Sequence, residues 1–176
     1  VRVRILGINA PELGFCVGEE SRVRLENLVV SDKIKISKVG VDSFGRVVAR
    51  ITVDNVDVAL EILKSGMAKV DDASKDHIKA NSKPTSEYLL VLREAESVAK
   101  NAELGVWSKE CVSKEPKRDL NCNIKGNYRD GKRVYYLPSC SQYKNVVVEE
   151  QAGDSWFCTE KEAKTNGFVL ALSCDK

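Results

Sequence analysis

At 176 residues the chain has room for one domain or two small ones, and 43% hydrophobic with 31% charged residues provides both a core and a solvated surface. No apolar run approaches the ~20 residues that a membrane-spanning helix needs. Formal net charge is +2, with 17 Lys+Arg against 17 Asp+Glu over residues 1–110 and 11 against 9 over the rest, which excludes a broadly basic surface as the source of any polyanion affinity.

Residues 2–8 alternate and then run apolar, which predicts a half-buried strand. Asn9 to Val17 is a loop holding Pro11 and Gly14. Glu19 and Glu20 stand where a helix start favours acids, and Val23, Leu25, Leu28 and Val29 form an apolar stripe to about residue 30. Ile34–Val39 reads as a strand, Asp42–Gly45 as a turn and Val47–Val53 as the returning strand. Asp57 is the expected N-cap of a helix over Val58–Ser65, ended by Gly66. Asp71–Pro84 is polar and irregular and predicts an exposed loop. Thr85 or Ser86 caps a longer helix with Leu89, Leu92, Ala95 and Ala99 at helical spacing. Gly105-Val106-Trp107 closes a first domain over residues 1–111, with Trp107 as a lid on its core.

A charged stretch from Ser108 to Leu120 carries the expected linker, residues 112–120, to a second domain over 121–176. There Arg129-Asp130-Gly131-Lys132 is a hairpin turn between Asn123–Tyr128 and Arg133–Leu137. Thr159-Glu160-Lys161-Glu162 is a capping box for a short helix, Asn166-Gly167 stops it, and Phe168–Leu172 reads as a last strand.

Three charged residues in the first domain carry the chemistry. Arg4 lies on the first strand, Glu12 lies just past its end, and Arg46 follows the glycine turn of the later hairpin. Guanidinium forks match phosphate oxygens with paired donors, and a glutamate can accept the proton of an attacking water. Each also has a plainer reading, as a solvated strand or turn arginine and a loop-capping glutamate. Six cysteines and one histidine, His77, leave two alternatives for the cysteines. No C-x-x-C pair is present. Cys122, Cys140, Cys158 and Cys174 could form a four-cysteine zinc site, or all six could form disulfides in an oxidising compartment, the reading favoured here. The second domain is bracketed by Cys122 and Cys174, with Cys140 and Cys158 inside, so the expected pairs there are Cys122–Cys174 and Cys140–Cys158.

The segments R-I-L-G-I-N-A-P-E, C-V-G-E-E, D-S-F-G-R-V-V-A-R-I, V-A-L-E-I-L-K-S-G-M-A, R-E-A-E-S-V-A-K-N and G-V-W-S occur in that order across residues 1–111. Taken together they resemble the staphylococcal nuclease (thermonuclease) family. The resemblance implies an α+β fold, a five-stranded OB barrel with about three helices. It implies Arg4 and Arg46 as phosphate-gripping residues and Glu12 as the general base. It also implies calcium, with Asn9 and the carbonyl of Ala10 as ligands, and DNA or RNA as substrate. Secreted relatives carry cysteines at the places of Cys16 and Cys111, which implies that pair.

Three departures from the family pattern stand out. The upstream strand with its D-G-D-T signature is absent, so the barrel's first strand or strands are expected to be missing, and an opening Val in place of Met fits an upstream segment having been removed. Asn9 replaces an aspartate. Asp71, Asp72 and Ser74 stand where nucleotide-stacking tyrosines are expected. Residues 121–174, with N-I-K-G-N, V-Y-Y-L-P-S-C, W-F-C-T-E-K-E-A and N-G-F, resemble the sunset module of extracellular bacterial and archaeal proteins. The resulting expectation is a secreted or cell-surface prokaryotic calcium-dependent nuclease, with an unknown protein or cell-surface partner for the C-terminal domain. The alternative is a catalytically weakened nuclease-fold module that binds nucleic acid or a cell-surface protein.

Overall fold

The computed structural model describes residues 2–30, 33–71, 84–116 and 119–174. The chain forms two compact units, one of Val1–Leu13 and Val17–Trp107, the other of Gly14–Cys16 and Ser108–Lys176. The expected linker at 112–120 needs correcting at its start. Val112–Ser113 is a strand paired with Val148–Glu149, so the second unit begins before the charged stretch ends. The expected loop over Asp71–Pro84 falls largely outside the described residues.

The first unit runs β1 (Val3–Ile5), β2 (Ile8–Asn9), α1 (Gly18–Leu28), β3 (Ile34–Val41), β4 (Val47–Val53), β5 (Val56–Asp57), α2 (Val58–Lys64), β6 (Lys69–Val70) and α3 (Ser86–Asn101), then a 3-10 turn at Gly105–Trp107. Its sheet has the order β1-β4-β3, with β1 parallel and β3 antiparallel to β4, and β5 added to β4. The β2 and β6 strands form a separate antiparallel pair. Among the described residues β3 pairs only with β4, and most of its residues are exposed.

The single strand expected over 2–8 is broken in two. Gly7 takes φ +77°, and a Cβ there would lie 2.4 Å from Leu92 Cδ1, so the chain turns where α3 packs against it. The helix caps follow the sequence reading. Asp57 accepts from Ala59 N at 2.9 Å, and Thr85 accepts from Tyr88 N at 3.2 Å. The core gathers Ile8, Ile51, Val53, Val58, Ile62, Leu63, Leu92 and Ala95, with Val3 and Ile5 packed against it. Each large aliphatic side chain buried there contributes roughly 1.5–3 kcal/mol. Trp107 is half-buried beneath Lys69 and Lys100, whose Nζ atoms lie 4.7 and 5.2 Å from its ring, so it is less a lid than a cation-faced rim.

The second unit contains β7 (Val112–Ser113), β8 (Ile124–Arg129), β9 (Lys132–Tyr136), β10 (Val148–Glu149), β11 (Ser155–Phe157), α4 (Glu160–Thr165) and β12 (Val169–Leu170). The hairpin turns at Asp130-Gly131, as expected, and its sheet has the order β11-β8-β9-β12. The last strand is shorter than expected, because Leu172–Cys174 turns into a 3-10 helix. Ile124, Tyr135, Phe157, Ala163 and Phe168 make a small core. At Gly126 an added Cβ would meet the Phe157 and Phe168 rings at 2.5 and 2.9 Å, so only glycine lets both rings lie on the sheet.

All six cysteines are in disulfides, Cys16–Cys111, Cys122–Cys158 and Cys140–Cys174, which leaves no thiolate for the zinc alternative. The first pair is as the family resemblance implied. The other two correct the expected pairing, and strand register is the reason. Phe157 lies opposite Ile124, which brings Cys158 to Cys122. β9 and β12 are parallel, so the segments leaving them, with Cys140 and Cys174, emerge at the same end of the sheet.

Candidate active site

The strand pairing brings the two expected arginines onto one surface. Arg4 is the parallel partner of Val48, and Arg46 lies two residues before Val48 on the same strand. Alternation sends Val3, Ile5, Ile51 and Val53 into the core and leaves Arg4 and Arg46 on the opposite face. With neighbouring strands ~4.8 Å apart and ~3.3 Å of rise per residue, their Cα atoms are about 8 Å apart.

Each guanidinium is held by an aspartate. Arg46 Nε donates to Asp42 Oδ2 at 2.6 Å. The other oxygen of the same carboxylate accepts from the backbone N of Phe44 and of Arg46, both at 2.9 Å, which closes the turn that starts β4. Asp42 is buried, which by itself would raise its pKa. The hydrogen bonds from the Arg46 and Phe44 amides and the Arg46 guanidinium outweigh that and hold it below the usual carboxylate range. Phe44 lies against the guanidinium, with Arg46 Cζ 5.4 Å from its ring centroid. Arg4 Nη2 donates to Asp71 Oδ2 at 2.5 Å, and Asp71 is itself fixed by its backbone N on the Gly7 carbonyl at 2.9 Å. Both arginines stay partly open, with 20% of the Arg4 side chain and 34% of the Arg46 side chain accessible.

Glu12 lies in the exposed loop between β2 and α1, and its side chain makes no hydrogen bond or ion pair with a described residue. It is therefore not joined to either arginine by a direct contact. Asn9 and Ala10, also exposed, follow at the end of β2, with Asn9 directly opposite Lys69 on β6. They supply one amide and one carbonyl oxygen, while calcium takes six to eight oxygens. Among the described residues no group of three or more His, Cys, Asp or Glu is placed to hold a metal. The nearby Asp71 carboxylate is committed to Arg4, and Lys69 adds a cation beside Asn9. Two oxygens alone fall short of the six to eight that calcium takes.

Sequence reasoning missed the two aspartates that hold the arginines. Asp42 stands in D-S-F-G-R, where an aspartate two and four residues before amides it can accept from is an Asx-turn signal that could have been read. Asp71 stands in the segment where the resemblance expects nucleotide-stacking tyrosines, yet it is the anchor of Arg4. No local signal ties residues 67 positions apart. Asp72 and Ser74 lie outside the described residues.

The sequence model of the family described as "Staphylococcal nuclease homologue" matches residues 2–109. "Probable staphylococcal-like nuclease CAN3" of Oryza sativa subsp. japonica is 36% identical over 107 residues, 61% of this chain and 25% of that protein. "Probable staphylococcal-like nuclease CAN2" of the same plant is 40% identical over 67 residues, 38% of this chain and 18% of that protein. "Probable endonuclease LCL3" of Arthroderma otae is 28% identical over 136 residues, 70% of this chain and 47% of that protein. The chain thus spans less than half the length of each of these relatives. With the match covering the unit that carries Arg4, Glu12 and Arg46, the chain belongs to the Staphylococcal nuclease homologue family, whose domain is an OB-fold.

Proposed function

We propose that the chain is a nuclease that hydrolyses phosphodiester bonds of DNA or RNA, with Arg4 and Arg46 gripping the phosphate and Glu12 as general base. The observation that carries this reading is the shared face of β1 and β4, on which two partly open guanidiniums are each steered by an aspartate. A guanidinium has five N–H donors, and one taken by a carboxylate leaves others for phosphate oxygens. The aspartates restrict each fork's orientation before substrate arrives, which lowers the ordering cost on binding. Negative charge that builds on the phosphoryl oxygens during attack is met by both forks. Glu12, exposed and without a competing partner among the described residues, takes the proton of the attacking water.

The reading includes calcium assistance, with Asn9 and the Ala10 carbonyl supplying two of the ion's six to eight oxygens, and titrating turnover against calcium tests it. Secretion is supported by the three disulfides, which persist in oxidising compartments. The second unit is read as a sunset-like module with a protein or cell-surface partner.

A second reading, binding with weakened cleavage, is favoured by one feature: both arginines already face a carboxylate, so the local charge is close to balanced. Single-stranded DNA turnover with added calcium separates the two. Arg46→Ala is expected to lower kcat/KM about 10²-fold or more, with the fold retained. Turnover equal to that of the native chain removes the mechanism, and tight salt-sensitive binding without any cleavage by the native chain selects the second reading.

A further inference from the structure

The strand that carries Arg46 carries another arginine built into the same kind of holder. Arg50 lies four residues further along β4, so alternation puts it on the same face as Arg46 and Val48. Arg50 Nε donates to Asp57 Oδ2 at 2.6 Å, just as Arg46 Nε donates to Asp42 at 2.6 Å. Each aspartate is buried, and each uses its other oxygen to cap a local structure, a turn for Asp42 and the start of α2 for Asp57. Each guanidinium is backed by an aromatic ring, Phe44 for Arg46 and Tyr88 for Arg50, the latter with Cζ 4.7 Å from the ring centroid. Tyr88 is fixed in turn by its hydroxyl on Asp57 Oδ2 at 3.0 Å. In both pairs the aspartate takes the Nε edge of the guanidinium, and 49% of the Arg50 side chain is accessible.

Arg4 completes the pattern. It stands level with Val48, midway between Arg46 and Arg50 and one strand over, so the Cα atoms of the three arginines form a zigzag with steps of about 8 Å. Long side chains reach further than the Cα positions, and steps of this order match successive phosphates of an extended single strand. Lys35, opposite Thr52 on β3, continues the same face past Arg50. A network whose only task was to pin β4 to α2 and α3 gains nothing from leaving the fork half exposed, because a hydrogen bond shielded from water holds better.

We propose that Arg50 is a further phosphate-binding residue, which takes a phosphodiester of a single-stranded nucleic acid beyond the one held by Arg4 and Arg46. The holder made by Asp57 and Tyr88 orients it before the strand arrives. Arg50 then sets how much of the strand is engaged and does not take part in bond cleavage. This rests on the nuclease reading above.

The test uses the full chain, a fluorescent thymidine dinucleotide and a fluorescent thymidine octanucleotide, with anisotropy for binding and product analysis for cleavage. Arg50→Gln is expected to weaken octanucleotide binding about tenfold, to lower the salt slope of that binding by about one, and to leave dinucleotide binding unchanged. Its cleavage defect should appear in KM for the octanucleotide, with kcat kept within about twofold. In the native chain, the Nε–Hε NMR resonance of Arg50 should shift on adding octanucleotide and stay in place with dinucleotide, a measurement that needs no folded variant. Unchanged octanucleotide affinity in a folded Arg50→Gln chain, or an Arg50 resonance indifferent to the octanucleotide, overturns the subsite alone. Equal losses for both lengths together with a lowered Tm show a structural pin and overturn it too. A native chain that binds neither oligonucleotide overturns the nuclease reading along with it.

Discussion

The two units solve the problem of stability by different means. The first, with no cysteine of its own, gathers one apolar cluster from β1, β2, β4, α2 and α3, and Arg4, Arg46 and Arg50 share the opposite face of the sheet with the buried Val48. The second has a small apolar cluster around Tyr135, Phe157 and Phe168 and three disulfides, and it buries polar groups inside itself. Lys125 is 1% exposed, with Nζ donating to the Tyr143 and Val146 carbonyls at 2.9 and 2.8 Å and lying 4.2 Å from the Tyr143 ring centroid. Asp154 is 2% exposed and accepts from Asn127, Tyr128, Arg129 and Glu149. A small domain cannot bury enough apolar surface to offset its chain entropy, so covalent links and satisfied polar networks take over. A larger core frees surface for function. Arginines that must meet a ligand need a scaffold whose stability does not depend on them.

Reduction is the strongest way to break this comparison. The bridges Cys122–Cys158 and Cys140–Cys174 close separations of 36 and 34 residues, and loop entropy assigns about 4 kcal/mol to each. Dithiothreitol should therefore unfold the second unit and leave the first folded, as read by residue-resolved hydrogen exchange. Loss of protection in α3 at the same reductant concentration would show that the units are not independent in stability. Leu92→Ala, which empties a fully buried site, should cost about 3 kcal/mol and lower protection in the first unit alone. Lys125→Met keeps the aliphatic volume but strands two carbonyls, and should destabilise the second unit by about 1–3 kcal/mol in urea unfolding. A neutral result there would mean that those carbonyls find water.

The smallest effect concerns pH. The Asp42 pKa is depressed in the folded chain, so its contribution is complete above the unfolded carboxylate value of about 4 and disappears as pH falls through the lower folded value. Asp42→Asn should flatten that part of the stability profile. An unchanged acid limb in the variant would assign it to other carboxylates.

Much of the helical and hairpin layout was legible in the sequence because the determinants are local. Asp57 and Thr85 cap the helices that their spacing announces, and Asp130-Gly131 turns the hairpin. The family was legible because its motifs occur in order along residues 1–111. The break of the first strand at Gly7 was not, since it answers to the position of Leu92 on a distant helix.

By itself, the sequence determined the family and the arginines, carboxylates and six cysteines the chain has to place, because composition and motif order are properties of the chain alone. Only the tertiary structure decided which cysteine meets which, since strand register, and not order along the chain, carries Cys158 to Cys122. It also decided that Asp71 steadies Arg4 and that Arg50 shares a face with Arg46, because pairing across strands and the alternation of side chains are fixed only when the sheet forms.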